Sequence, residues 1–289
     1  MAKSVVVPLD GSFTAESILP WVQDYAIRTG ARVNLVRVIP KGEDASDGHG
    51  QLRQRRDAFA YLRTIEAKLK EAGVDARSLL RQGAPARTIA RTAVLERADY
   101  IALSPRGAGR VARILLGGIA ERLLKISTRP LFVAQALSRP SGPFPLQLKK
   151  ILVPVDGSEL SESVLPFAVD LAGWYTSGIV LLHARSVKSP AGDPRRLEEL
   201  AKALRGRGIP AAIRLVVGDA AQEILRGAKR LGADLIAMNS HGRGGFIKFF
   251  LGSVTEEVVH GASVPVLITK NRRPVPLEAP KKGLAHARA

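Results

Sequence analysis

"VVVPLDGSFTAESILPW" at residues 5–21 lies over "ILVPVDGSELSESVLPF" at 151–167. Pro8 and Pro154, Asp10 and Asp156, Gly11 and Gly157, Ser12 and Ser158, Glu16 and Glu162, and Pro20 and Pro166 all pair at an offset of 146. Two later blocks repeat as well. "ADYIALSPRG" (98–107) lies over "ADLIAMNSHG" (233–242), and "RPLFVA" (129–134) over "VPVLIT" (264–269), now at an offset of 135. Self-similarity of this kind marks one domain built twice. The two offsets differ by 11, so the first copy carries 11 extra residues between the blocks. The polar segment "PKGEDASDGHGQLRQRR" (40–56) is the place expected for them.

Within each copy, apolar runs of strand length alternate with helical spacing. In the first, "VVVPL" (5–9), "RVNLVRV" (32–38), "DARSLLR" (75–81), "YIALS" (100–104) and "LFVAQ" (131–135) read as strands. Ile18, Leu19, Val22, Tyr25 and Ala26 mark one helix face between them; Leu62, Ile65, Leu69 and Ala72 mark another, and Ile89, Ala90, Ala93 and Val94 a third. A short helix is expected near 118–126. Such alternation implies an α/β fold of two tandem Rossmann-like domains, each a five-stranded parallel sheet with helices on both faces. The expected divisions are domain 1 at 1–136, a proline-rich linker at 137–148, domain 2 at 149–271 and a basic disordered tail at 272–289.

Composition bounds the function. Of 289 residues 46% are hydrophobic and 24% charged, which is ordinary for a globular chain. There is no cysteine, so disulfide staples are excluded, in keeping with a reducing compartment. The N-terminus lacks a signal-peptide core, and no apolar run approaches the ~20 residues that cross a bilayer, so a cytoplasmic protein without membrane insertion is expected. The net charge of +18 attracts phosphates, nucleic acids and acidic surfaces. Aromatic residues make up only 5%, so the chain offers no platform for stacking bases, and nucleic acid is not the favoured partner.

Ligands of open α/β sheets sit at the carboxyl ends of strands where strand order reverses. The turns after the first and fourth strands of each copy therefore matter most. In the second copy the latter is "NSHGRGGFIKFFLGSVTEE" (239–257). Glycines let backbone approach a ligand, and the helix starting near Gly252 and Ser253 offers unpaired N–H groups and a positive dipole end. Ser253 and Thr255 add hydroxyls; His241, Arg243 and Lys248 add positive charge. An anion, most naturally a phosphate, suits this set. A plain glycine turn with Ser253 as N-cap would use the same residues. Neither the Walker loop nor GxGxxG fits the spacing.

Both copies resemble the universal stress protein domain along nearly their whole length. Nucleotide-binding members of that family carry Gly-x2-Gly-x9-Gly-Ser/Thr after the fourth strand. The matching positions here are Asn239, Gly242, Gly252 and Ser253, followed by Val254 and Thr255. Asp156 matches the family's aspartate after the first strand, with Pro154 and Val155 beside it, and Ala184 and Met238 match positions lining the adenine pocket. The resemblance implies a HUP-type fold and a stress-response or signalling protein that binds adenine nucleotide in domain 2. ATP is the nucleotide expected, with magnesium as an optional companion. It also implies an intramolecular pseudo-dimer paired through the last strands, and leaves a further homodimer open. Asn239 stands where the motif has glycine; asparagine is the residue least penalised at positive φ, yet its side chain could crowd the phosphates.

In the first copy the same positions are Ser104, Gly107, Gly117 and Gly118, and Ala120 replaces Thr255. Hydrogen bonds to charged groups contribute about 1.5–3 kcal/mol each. Losing both hydroxyls would weaken binding by about two orders of magnitude or more, so domain 1 is expected to be structural. Arg106, Arg110 and Arg113 are the cations that would offset this. The five histidines show no metal-ligand spacing, and His183 reads as a core residue. Asp156 is the sole plausible base, and its family role is with the nucleoside, so binding without efficient turnover is expected. The competing reading is an interaction protein whose basic surface binds nucleic acid or an acidic partner.

Overall fold

The computed structural model describes residues 3–39, 48–104, 117–134, 146–185, 194–240 and 252–270. The first half runs β1 (Ser4–Pro8), α1 (Phe13–Glu16), α2 (Leu19–Thr29), β2 (Arg32–Ile39), α3 (Gly48–Glu71), β3 (Ala76–Gln82), α4 (Pro85–Leu95), β4 (Tyr100–Leu103), α5 (Gly118–Ile126) and β5 (Leu131–Val133). The second half repeats it as β6 (Lys150–Pro154), α6 (Glu159–Glu162), α7 (Leu165–Tyr175), β7 (Gly178–Arg185), α8 (Pro194–Arg205), β8 (Ala211–Val217), α9 (Ala220–Leu231), β9 (Leu235–Asn239), α10 (Ser253–Gly261) and β10 (Val266–Thr269).

Strand order is β3-β2-β1-β4-β5-β10-β9-β6-β7-β8. Every pairing within a half is parallel, and the halves join through antiparallel β5 and β10, with Leu131 opposite Ile268 and Val133 opposite Val266. Strand order reverses beside β1 and again beside β6. The antiparallel joint points the carboxyl ends of the two half-sheets in opposite directions, so their crevices open at opposite edges.

Successive strand side chains face opposite layers. Val5, Val7 and Leu9 pack in one layer with Val22 of α2, Leu62 of α3, Leu165 of α7 and Leu200 of α8. Val6 and Val36 pack in the other with Ile89 of α4, Leu123 of α5, Ile224 of α9 and Val258 of α10. Both faces of the sheet are covered, which is why the strands read as apolar runs without polar alternation. Pro20 and Pro166 stand in the first turns of α2 and α7, where their missing N–H costs nothing.

The extra length of the first copy is partly helix. β2 and β7 are both eight residues long, whereas α3 has 24 residues and α8 has 12. Leu62, Ile65 and Leu69 of α3 match Leu197, Leu200 and Leu204 of α8 at the 135 offset, and all six are buried. The surplus lies ahead of Leu62, in the first turns of α3, where residues 52–57 are exposed. Residues 40–47 of the expected segment lie outside the described residues, as does the expected tail at 272–289.

α2 and α7 meet across the joint. Trp21 lies 6.0 Å from Phe132 of β5, Tyr25 contacts Tyr100 edge-on at 5.5 Å, and Tyr100 is 6.4 Å from Phe167. A small apolar cavity of ≈ 30 Å³ lies among Trp21, Tyr25, Tyr100, Phe132, Leu148 and Tyr175. Burial raises the phenol pKa of Tyr25, Tyr100 and Tyr175 above the usual value. The Arg28 guanidinium sits 4.6 Å over the Tyr175 ring, and its Nε donates to Asp24 Oδ2 at 3.0 Å. Leu146, at the end of the segment read as linker, donates its N–H to Asp24 Oδ1 (2.8 Å) and accepts from Arg28 Nη2 (2.8 Å). That end of the connection is docked, with Leu146 and Leu148 buried. Among the described residues, no helix is long and apolar enough to cross a membrane.

Asp24 is 1% exposed and serves both the guanidinium and the connecting chain. Asp24→Ala leaves a half-buried cation and an N–H without their acceptor, and is expected to lower stability by about 2–4 kcal/mol in urea denaturation.

Candidate functional site

β6 and β9, the strands that the two turns singled out in the second copy follow, pair side by side where strand order reverses. After β6 the chain passes through buried Val155, whose N–H donates to Leu182 O at 2.9 Å and whose carbonyl accepts from His183 Nδ1 at 2.8 Å. His183 is 6% exposed and thus braces the turn from within the core. Asp156 Oδ1 accepts from Ser158 N (2.9 Å) and Ser158 Oγ (2.6 Å), while Ser158 Oγ accepts from Ser161 N (3.2 Å) as the N-cap of α6. Gly157 has φ +80 between them, the conformation that turns the chain sharply enough for this cap. Glu162 anchors α6 to α8 through a two-point contact with Arg196, at 2.9 and 2.5 Å.

Across the crevice, strand alternation sorts the candidate residues. Met238 packs in the layer of α9 and α10, and Ala184 of β7 packs against that same layer. Both expected pocket-lining positions therefore share one sheet face. Asn239 faces the other way. Its Nδ2 donates to Leu160 O (2.7 Å) and Ser163 Oγ (3.1 Å), both beside α6. Asn239 is 6% exposed and absent from the residues with positive φ, so no left-handed backbone explains the asparagine. Its side chain is directed at α6, away from the face that Met238 and Ala184 share.

The start of α10 differs from the expectation in detail. Gly252 N donates to Ser240 O at 3.2 Å, so this amide already has an acceptor. A Cβ on Gly252 would lie 2.9 Å from Ser240 O, and this close approach is the reason for glycine here; its φ of −61 is open to any residue. Thr255 is 2% exposed, and its hydroxyl makes a long contact to Asn239 O at 3.5 Å. It is a buried group rather than a rim donor. Ser253 is exposed and Val254 half-buried, and the N-cap Gly252 gives the helix no side-chain hydrogen bond. Among the described residues no side chain caps the first-turn amides of α10, and a helix start in that state favours an anion. His241, Gly242 and Arg243 lie outside the described residues. Of the expected site residues, Pro154, Val155 and Asp156 lie at the end of β6 and in its turn, Ala184 and Met238 share the sheet face of α9 and α10, and Gly252, Ser253 and Val254 open α10, while Val155, Asn239 and Thr255 are buried.

The first copy keeps the turn and lacks the hydroxyls. Asp10 Oδ1 accepts from Ser12 N (2.9 Å), and Ser12 Oγ caps α1 by accepting from Ala15 N (3.1 Å). Arg37 takes the place of His183; it lies 5.5 Å over Tyr61, whose hydroxyl donates to Glu16 Oε1 at 2.9 Å. This Arg–Tyr–Glu set replaces the Arg196–Glu162 pair of the second copy, a substitution that motif reading alone missed. At the start of α5 stands Gly118, and Ala120 is buried.

The fold and the crevices define a doubled Rossmann-like α/β protein. The family model described as "Universal stress protein family" matches residues 1–135, 147–196 and 191–270, and the chain belongs to this family. A universal stress protein of Mycobacterium tuberculosis is 27% identical over 290 residues, covering 92% of this chain and 96% of that one. One of Mycobacterium bovis is 28% identical over 306 residues, covering 92% and 94%. The crystal structure of a universal stress protein from Archaeoglobus fulgidus superposes with a TM-score of 0.79 at 23% identity, covering 92% of this chain and 98% of that one.

Gly252→Ala keeps an allowed backbone but drives a methyl group into the Ser240 carbonyl. The expected outcome is a stability loss of about 1–3 kcal/mol in chemical denaturation, with a crystallographic shift confined to the start of α10 and Ser240.

Proposed function

We propose that the chain is a nucleotide-responsive universal stress protein that takes an adenine nucleotide, ATP, in the crevice between β6 and β9. The observation that supports this reading is the first turn of α10 behind Gly252, which has no side-chain cap among the described residues and follows β9 beside the point of strand reversal. The first-turn amides and the Ser253 hydroxyl would meet the phosphates. Ala184 and Met238, on one sheet face, would flank the base, and Asp156 would meet the ribose or a magnesium ion held by the phosphates. The choice of ATP rests on the Gly-x2-Gly-x9-Gly-Ser/Thr pattern, which this chain keeps at Gly242, Gly252 and Ser253.

Binding without efficient turnover fits the state of the carboxylate at the rim. Asp156 Oδ1 already accepts two hydrogen bonds within its own turn, which commit that oxygen to the start of α6 rather than to an attacking water. Occupancy rather than chemistry would then be the signal. The joined halves form the pseudo-dimer in this reading, with the first half as scaffold. The +18 charge favours a second reading, docking on nucleic acid or another polyanion, for which salt-dependent retention without bound nucleotide is the signature.

Protein purified without added nucleotide, then denatured and run on an ion exchanger, is expected to release adenine nucleotide, up to about one per chain. Equilibrium dialysis with ATP should show saturable binding that Gly252→Val abolishes while its circular dichroism spectrum is kept. Absence of both released nucleotide and saturable binding in the unaltered protein would refute the reading.

A further inference from the structure

Asn239 is held against α6 more firmly than a replacement for glycine needs to be. Its two amide hydrogens go to Leu160 O (2.7 Å) and Ser163 Oγ (3.1 Å), at the helix that follows β6. Its Oδ1 accepts from Ser240 N (2.9 Å) and Thr269 Oγ1 (3.4 Å). These four bonds use both donors and both lone pairs of the amide. Three separate pieces of chain meet at one buried side chain: α6 with its C-cap Ser163, the end of β9 running into Ser240, and β10.

Ser240 is the link to the candidate phosphate site. It is fully buried, and its N–H is held twice, by Asn239 Oδ1 and by Thr269 O at 2.8 Å. Its carbonyl in turn accepts from Gly252 N at 3.2 Å, so it sets where the first turn of α10 begins. We infer that Asn239 is a positioning residue that fixes the anion-facing start of α10 through Ser240, and that it ties this start to β10, the strand joining the two halves. The ligand half of this inference rests on the nucleotide reading; the positioning half rests on the hydrogen bonds alone.

The first copy shows the same site without the tie. Ser17 Oγ donates to Thr14 O at 2.7 Å, as Ser163 Oγ does to Leu160 O at 2.6 Å. At the position of Asn239 stands Ser104, too short to reach across, and its buried hydroxyl finds no hydrogen-bond partner among the described residues. Ala134 stands in place of Thr269 and offers no hydroxyl. Two members of the clamp, those at 239 and 269, have therefore changed together, while Ser17 keeps the bond to its own helix.

Amide hydrogen exchange and ATP dialysis on the full chain test this with Asn239→Ala. Exchange at Ser240 and Gly252 is expected to quicken by about tenfold or more, as one or two lost hydrogen bonds would give, while amides of β6 and β7 keep their protection. The ATP dissociation constant is expected to rise by a similar factor. Uniform loss of protection, or none at Ser240 and Gly252, overturns the positioning role. If the variant fails to fold, Thr269→Val removes one arm only and should give a smaller acceleration at the same two amides; no change there also overturns it. If the unaltered chain binds no ATP, the nucleotide reading falls and the exchange result alone decides the positioning role. Faster local exchange with undiminished ATP affinity overturns the link to the ligand.

Discussion

Three residue pairs in antiparallel register, from Leu131 opposite Ile268 to Val133 opposite Val266, make ten strands into one sheet. A parallel half-sheet on its own would present β5 or β10 as an open edge, a template for pairing with another chain. Here each edge closes the other, and the aromatic contacts of Trp21, Tyr25, Tyr100 and Phe167 cover the joint. The crossing of α2 and α7, the docked Leu146 and the opposed crevices all follow from that register. Its short length makes the side-chain seam above it as important as the backbone bonds.

Most of the architecture could be read from the repeat. A constant offset of 146 carried the first strand and its helices, and 135 carried the last strands, because those segments are bound by sheet register and tolerate no insertion. The strand expected at 131–135 ends at Val133, and α5 spans 118–126 as its apolar spacing predicts. The insertion falls where packing is sparse, with residues 52–57 of α3 exposed. Helix elongation adds one hydrogen bond per residue once a turn exists, so such an extension is thermodynamically cheap.

The site was readable by composition and less so by direction. Gly252 and Ser253 open α10, and Asp156 lies in the turn after β6. Which way a side chain points depends on strand parity near the end of β9, and one residue decides between crevice and core. That parity sends Asn239 to α6 and Met238 to the layer of α9 and α10. Thr255 belongs to the buried face of α10 by the same helical logic that makes Ser253 exposed. The glycine at 252 answers to a neighbouring carbonyl, a contact between residues 12 apart that no local pattern reveals.

The protein's tyrosines number four, and desolvation by burial is the leading cause that raises every one of them, Tyr61 included. An elevated folded-state value means the unfolded chain gives up phenolic protons first, so alkali above pH ~10 pulls the equilibrium toward unfolding. No ordinary phenol is left to ionise ahead of that event. The near-ultraviolet absorbance of tyrosinate in this molecule should therefore grow as its interior opens in alkali.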